Sequence, residues 1–170
     1  MNLELTGKVA LVTGSSRGIG WAIADTLHAE GCHVVLNGLK SETLRQAVTR
    51  MPGSIGIVAD VSTVEGARQL IHEVLTRLGR LDILVCNVGS GRSVPPGEES
   101  AQEWQRIFSI NLWSTTNMVE AAKKILIKRR GVIVCVSSIC GLEVVNNAPI
   151  SYSVAKAALN AYIRLSLIHI

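Results

Sequence analysis

The feature that most constrains this chain is a rhythm. Short runs of Val, Ile and Leu at 8–12, 33–37, 55–59, 82–86 and 132–136 are each followed by a segment whose apolar positions recur at helical spacing. Those segments span 18 to about 30, 41–50, 63–78 and 100 to about 128, and a last one starts near Ser151. The runs are continuously apolar rather than alternating. This is the pattern of strands buried on both faces, which requires a parallel sheet with helices over each side. The predicted fold is α/β, doubly wound and mostly parallel. Loops that follow such strands lie at the carboxyl edge of the sheet, where ligands bind, so 89–97 and 141–149 are expected to line a site.

Composition agrees with one compact domain: 170 residues, 48% hydrophobic and 18% charged, with a mean hydropathy of +0.33. Disorder and collagen-like repeats are excluded. The four cysteines, Cys32, Cys86, Cys135 and Cys140, stand singly in apolar runs and form no CxxC pair, so reduced, buried thiols are expected rather than a zinc site or a disulfide framework. The histidines His28, His33, His72 and His169 show no metal-ligand spacing, and no metal is expected. No apolar run reaches the ~18 residues of a membrane span and no leader pattern opens the chain; a cytoplasmic protein with no membrane partner is the expectation. The excess of basic residues is concentrated at Lys123, Lys124, Lys128, Arg129 and Arg130, at the end of a helical pattern, where cations complement the helix dipole. Six aromatic residues offer little for bases to stack on, and nucleic acid is not an expected partner.

After the first run comes Thr13-Gly14-Ser15-Ser16-Arg17-Gly18-Ile19-Gly20, opening a helix. Glycines serve a tight strand-to-helix turn, the approach of a pyrophosphate to bare backbone, and close packing of helix on strand. Further on, Tyr152 and Lys156 are four residues apart, so one helix face carries both a phenol and an ammonium. A cation beside a phenol favours the phenolate, which suits the pair to proton transfer near neutrality.

The TGxxxGxG spacing together with YxxxK resembles the short-chain dehydrogenases/reductases. Other positions extend the resemblance. Asp60-Val61 matches the family's adenine-contacting Asp. Cys86-Asn87-Val88-Gly89 matches its NNAG with Cys86 and Val88 as departures, and Ser138 with Gly141 matches its Ser-x-x-Gly. Asn111 matches the Asn that sustains a water relay from the lysine to solvent. Together these motifs cover nearly the whole chain. The resemblance implies a Rossmann-type topology and a nicotinamide dinucleotide bound by Gly14, Ser16, Arg17, Gly18, Ile19, Gly20, Lys40, Asp60, Val61, Asn87, Val88, Gly89, Tyr152 and Lys156. It further implies that Tyr152 transfers the proton, Ser138 rather than Ser137 polarises the carbonyl, Lys156 holds the ribose and Asn111 maintains the relay.

The second strand leads into Gly38-Leu39-Lys40-Ser41 with no acid before Glu42, while Arg17 and Lys40 supply positive charge. NADP is therefore expected over NAD, because a ribose 2′-phosphate calls for cations where a 2′-hydroxyl calls for an acid. The implied activity is hydride transfer between nicotinamide and a small carbonyl or alcohol, in a homodimer or homotetramer. A non-catalytic NADP(H)-binding or partner-binding module is the alternative, against which the intact Ser138, Tyr152 and Lys156 weigh. A nucleotide-sugar epimerase or dehydratase is disfavoured by the glycine spacing. Family members run to about 250 residues, so the chain reads as truncated, with the last strands missing and its fifth strand left as an edge. Leu165 to Ile170 is also what a transposon-derived sequencing adapter, CTGTCTCTTATACACATC, would encode. The expected organisation is one incomplete domain over 1–164, with 165–170 an adapter read-through.

Overall fold

The structure, a computed structural model, describes residues 3–169, with side chains through Ser166; Ile170 and the side chains of 167–169, part of the 165–170 segment, lie outside the described residues. The elements are β1 (Val9–Val12), α1 (Gly18–Ala29), β2 (His33–Gly38), α2 (Ser41–Arg50), β3 (Ile55–Val58), α3 (Val64–Leu78) and β4 (Ile83–Cys86). They continue as α4 (Ala101–Phe108), a π-helical turn (Ser109–Trp113), α5 (Ser114–Arg129), β5 (Val132–Cys135), a 3-10 turn (Ile139–Gly141) and α6 (Ile150–His169). The strands form one parallel sheet in the order β3-β2-β1-β4-β5.

Alternate residues of each strand enter different cores, as the strand's period of two dictates. Val9, Leu11, Val35, Ile57, Leu84 and Cys86 face α3 and α5, packing on Leu70, Val74, Met118 and Leu126. Ala10, Val12, Val34, Leu36, Ile83 and Val85 face the other way, towards Ala24 of α1 and Leu44 and Ala47 of α2. Each fully buried Leu or Val contributes about 1.5–3 kcal/mol, so both covering layers are needed to hold the sheet. The order reverses between β1 and β4, and there the loops that follow these strands part, leaving a crevice at the carboxyl edge.

Three sequence expectations are corrected. The helix expected from 100 to about 128 is interrupted at Ser109–Trp113, where the Ser114 N–H bonds back five residues to the Ser109 carbonyl. Such π turns insert an extra residue into a helix. Cys135 and Cys140 are only partly buried, whereas Cys32 and Cys86 are buried as expected. The apolar run at β5 is not covered on both faces either: Val132 is 55% and Val134 46% exposed. β5 is an edge strand, as expected. The basic cluster does sit at a helix end: Lys128 and Arg129 occupy the last turn of α5, which Arg130 closes in the left-handed region (φ 51°).

Candidate active site

At the α1 end of the crevice, Gly14 and Gly18 have φ of +62° and +60°, which a side chain would strain. A Cβ on Gly18 would meet nothing within 4 Å, whereas one on Gly20 would collide with the Gly14 carbonyl and the Asn87 side chain. The first glycine thus makes the turn, the second leaves open space above the backbone, and the third lets helix and strand close up. Arg17 is the N-cap of α1 but gives it no side-chain capping hydrogen bond. The amino end of α1 therefore presents N–H groups and a partial positive charge, a fit for a pyrophosphate. Ile19 is 66% exposed at this mouth.

Two residues absent from the expected site build this turn. Thr13 Oγ1 accepts from the N–H groups of Asn87 (3.0 Å) and Val88 (3.3 Å), and Asn87 Nδ2 returns bonds to the carbonyls of Thr13 (3.0 Å) and Gly14 (3.2 Å). Asn37, buried in β2, accepts from the Gly14 N–H through Oδ1 and donates through Nδ2 to the carbonyls of Ile57 and Ala59. The sequence signal for Asn37 was available, since an amide at the end of an apolar strand must find partners.

Below this turn, Gly38 ends β2 with the Ser16 hydroxyl 3.4 Å from where a Cβ would stand. Lys40 and Arg17 are exposed, and neither side chain has a hydrogen-bond or ion-pair partner among the described residues. Asp60 follows β3; its Oδ1 accepts from the N–H (2.9 Å) and hydroxyl (2.6 Å) of Ser62. Thr63, not Asp60, caps α3 through its side chain. Val61 is buried in the core beside it.

At the other end of the crevice, α6 presents Tyr152 and Lys156. Lys156 is 3% exposed; its Nζ donates to the Val136 carbonyl at 3.0 Å and lies 5.9 Å from the Tyr152 ring centroid. Burial pushes the Lys156 ammonium below the usual lysine range, with the Cys135 sulfur partly opposing. A Cβ on Gly89 would approach both Lys156 Nζ and Asn111 Oδ1 to 3.0 Å, so any larger residue would push on these converging side chains. Asn111 sits in the π turn, fully buried, with Oδ1 accepting from the Ser90 N–H and Nδ2 donating to the carbonyls of Ser90 and Ile107. Its amide is thus committed to holding the loop after β4.

Ser138 opens the 3-10 turn and its Oγ accepts from the Cys140 N–H at 3.2 Å, which leaves its O–H proton free to donate. Gly141 shows why this motif ends in glycine. A Cβ there would meet the Lys156 backbone at 2.6–2.8 Å, so only glycine lets the turn carrying Ser138 dock on α6. Ser137 Oγ is buried with no hydrogen-bond partner among the described residues.

The loop over the crevice is clamped from α4. Glu103 accepts from the Ser93 hydroxyl (2.6 Å) and from Arg106 Nε and a terminal nitrogen (2.7 and 2.6 Å), while Arg106 also donates to the Arg92 carbonyl. Glu99 caps α6 by accepting from the Ser151 N–H, next to Tyr152. Hydrogen bonds from Arg106 and Ser93 hold the Glu103 carboxyl down at about 2. Because this folded value is depressed, the clamp contributes fully above the ordinary glutamate value of about 4.3 and is lost as pH falls towards about 2. The stability gap between the protein and Glu103→Gln should therefore be constant above about pH 5 and close as pH falls. Denaturant midpoints across pH measure it, and a gap that does not change with pH would refute the assignment.

These elements in this order are matched by the sequence model of the short chain dehydrogenases over residues 8–166. The chain belongs to the short chain dehydrogenase family. It is 35% identical over 161 residues to a 3-oxoacyl-[acyl-carrier-protein] reductase of Synechocystis sp., covering 91% of this chain and 65% of that relative. The chain thus spans just under two thirds of that relative's length. Two solved structures superpose on it. A short chain dehydrogenase/reductase from Burkholderia phymatum in complex with NAD has a TM-score of 0.89 at 26% identity, over 98% of this chain and 61% of that one. An alcohol dehydrogenase from Thermococcus sibiricus complexed with 5-hydroxy-NADP has 0.89 at 27%, over 95% and 71%. In this member of the family both departures from NNAG are housed: Val88 packs over Gly14, and Cys86 turns into the core beside Cys135. No helix among the described residues is long and apolar enough to cross a membrane.

Proposed function

We propose that this chain carries the dinucleotide-binding and proton-transferring parts of an NADP-dependent oxidoreductase acting on a small carbonyl or alcohol. The observation that carries the reading is the convergence of Tyr152, Lys156 and the Ser138 turn at one end of a crevice whose other end is the uncapped amino terminus of α1. The residues fit a nicotinamide dinucleotide. Gly14, Ser16, Gly18, Ile19 and Gly20 would hold its pyrophosphate, and Arg17 and Lys40 a 2′-phosphate. Asp60 and Val61 would border the adenine, and Asn87, Val88 and Gly89 the middle of the molecule. When bound, the nicotinamide supplies or takes up the hydride.

The chain's own groups handle the substrate oxygen and its proton. The free O–H of Ser138 donates to the carbonyl oxygen and stabilises its developing charge. Tyr152 gives that oxygen a proton in reduction and takes one in oxidation. Lys156, fastened to the Val136 carbonyl, keeps an ammonium near the phenol and holds the ribose. Its depressed basicity eases passage of a proton through it. Both donors of the Asn111 amide are engaged and its Oδ1 already accepts from Ser90; the relay to solvent would use a water on the backbone of the π turn that Asn111 occupies. The domain over 1–164 is then one binding and catalytic unit, its substrate selected by loops 90–97 and 142–150, working in a cytoplasmic homodimer or homotetramer.

NADP preference rests on the two unpartnered cations and is tested by binding alone. Quenching or enhancement of reduced-nicotinamide fluorescence should give a lower Kd for NADPH than for NADH. Replacing Arg17 and Lys40 together by alanine should remove at least a tenfold share of NADPH affinity and leave NADH nearly unchanged. That tenfold corresponds to about 1.4 kcal/mol, the low end for a charged hydrogen bond. Equal affinities would overturn the preference, and no binding of either would overturn the dinucleotide reading.

A further inference from the structure

The carboxyl ends of β4 and β5 place Cys86 and Cys135 directly opposite one another. They are register partners in a parallel pair and belong to the same core face. Neighbouring strands lie about 4.7–4.9 Å apart, inside the 4.4–6.8 Å range of Cα separations that disulfides span. The two thiols are near enough to shift one another's ionisation in opposite directions. They differ in access. Cys86 is 2% exposed, whereas Cys135 is partly exposed and borders a cavity of about 360 Å³ between α5, β5 and α6, beside Leu126, Ile133, Tyr162 and Ile163. Each cysteine stands one residue before part of the site: Cys86 before Asn87, and Cys135 before Val136, whose carbonyl anchors Lys156.

We propose that Cys86 and Cys135 form a dithiol modification site that small organic disulfides oxidise to a cross-strand disulfide through the cavity beside Tyr162. Cys135 is the attacking thiol. It is the more exposed of the two, and its neighbour Cys86 and the nearby Lys156 charge favour its thiolate, while Cys135 and burial push Cys86 the other way. The Cys135 thiolate attacks one sulfur of the reagent R–S–S–R, whose S–S bond breaks. One RS⁻ leaves and takes up the proton that Cys135 released, and a Cys135–S–S–R mixed disulfide remains. Cys86 then loses its proton and attacks the Cys135 sulfur, expelling the second RS⁻, which takes that proton. Two electrons pass from the cysteine pair to the reagent. One protein disulfide and two RSH result.

The test uses bis(2-hydroxyethyl) disulfide on the whole chain under native conditions, acid quenching, alkylation and peptide mapping. The expected product has lost two hydrogen atoms and carries no adduct. It yields a linked Cys86–Cys135 peptide pair, with Cys32 and Cys140 alkylated as free thiols. Cys86→Ser should instead stop at the mixed disulfide on Cys135, and Cys135→Ser should leave Cys86 unreacted. An adduct on Cys135 in the unsubstituted protein that never resolves, a link to Cys140 instead, or equal reaction of all four cysteines would overturn the proposal. The readout is chemical, so it stands apart from the proposed activity.

Discussion

Under the proposed function, replacing Tyr152 by phenylalanine should reduce carbonyl turnover by about 10²–10⁴-fold, the range expected for removing a positioned acid–base group. The geometry makes this substitution a clean one. The ring lies alongside Gly91, where an added Cβ would stand 3.6–3.8 Å from it, and phenylalanine keeps that ring. Among the described residues the hydroxyl has no hydrogen-bond partner, so its loss leaves no buried group unsatisfied. Lys156 keeps its bond to the Val136 carbonyl and with it the position proposed for holding a ribose. NADPH affinity and thermal stability should both stay close to those of the unsubstituted protein while kcat collapses. The measurement is steady-state kinetics beside NADPH titration. Undiminished kcat would remove Tyr152 from the proton step, whereas a parallel loss of NADPH affinity would make it a binding residue.

The second large effect lies at the opposite end of the sheet. Asp82 begins the β4 segment, 7% exposed at its side chain. It accepts from the Val9 N–H (2.8 Å) and from Arg80 through both oxygens (2.8 and 2.9 Å), with Arg129 at 3.5 Å. One carboxylate thus ties β1, β4 and the end of α5. Asp82→Ala should cost about 2–4 kcal/mol, because it strands a buried N–H and uncouples two arginines; their partial exposure keeps the figure at the lower end for buried pairs. For a chain of this size that is a fall in Tm of about 4–16 °C. Asp82→Asn should lose less, since an amide oxygen can still accept from Val9. Burial raises the Asp82 carboxyl, but bonds from Arg80 and Val9 and the charges of Arg80 and Arg129 outweigh it and leave it below the usual range. Its stabilisation is therefore complete above the ordinary aspartate value of about 3.9 and is lost as pH falls through the lower folded value. Thermal unfolding of both variants from neutral to acid pH measures this. A Tm of Asp82→Ala unchanged at neutral pH would show that the cluster adds nothing.

Much of the architecture was legible because it is local. The strand and helix runs follow from periodicity, and α2 spans the 41–50 expected of it. Tyr152 and Lys156 share a face because four residues make about one turn. What was missed is instructive. A π turn has no periodic signature, and at 109–113 its one mark was a polar Asn111 in an apolar stretch, whose reason is now visible in its bonds to Ser90 and Ile107. Cys135 was expected to be buried because apolar strands were taken as covered on both faces, a rule that fails at an edge. Asp82 read as the first residue of a strand, since its partner Val9 is 73 positions away.

By itself the sequence determined the α/β class, the glycine turn, the chain order of the motifs and the family to which they belong. Each is built from short stretches, strung along the chain, within which backbone sterics and helical or strand periodicity set the geometry. Tertiary structure alone decided that Thr13 would bond Asn87, that Gly89 would sit where Lys156 and Asn111 converge, that Gly141 would carry Ser138 onto α6, and that Cys86 would face Cys135. Those contacts join residues up to 74 positions apart. They depend on strand order and register, which only the simultaneous burial of both faces of the sheet can select.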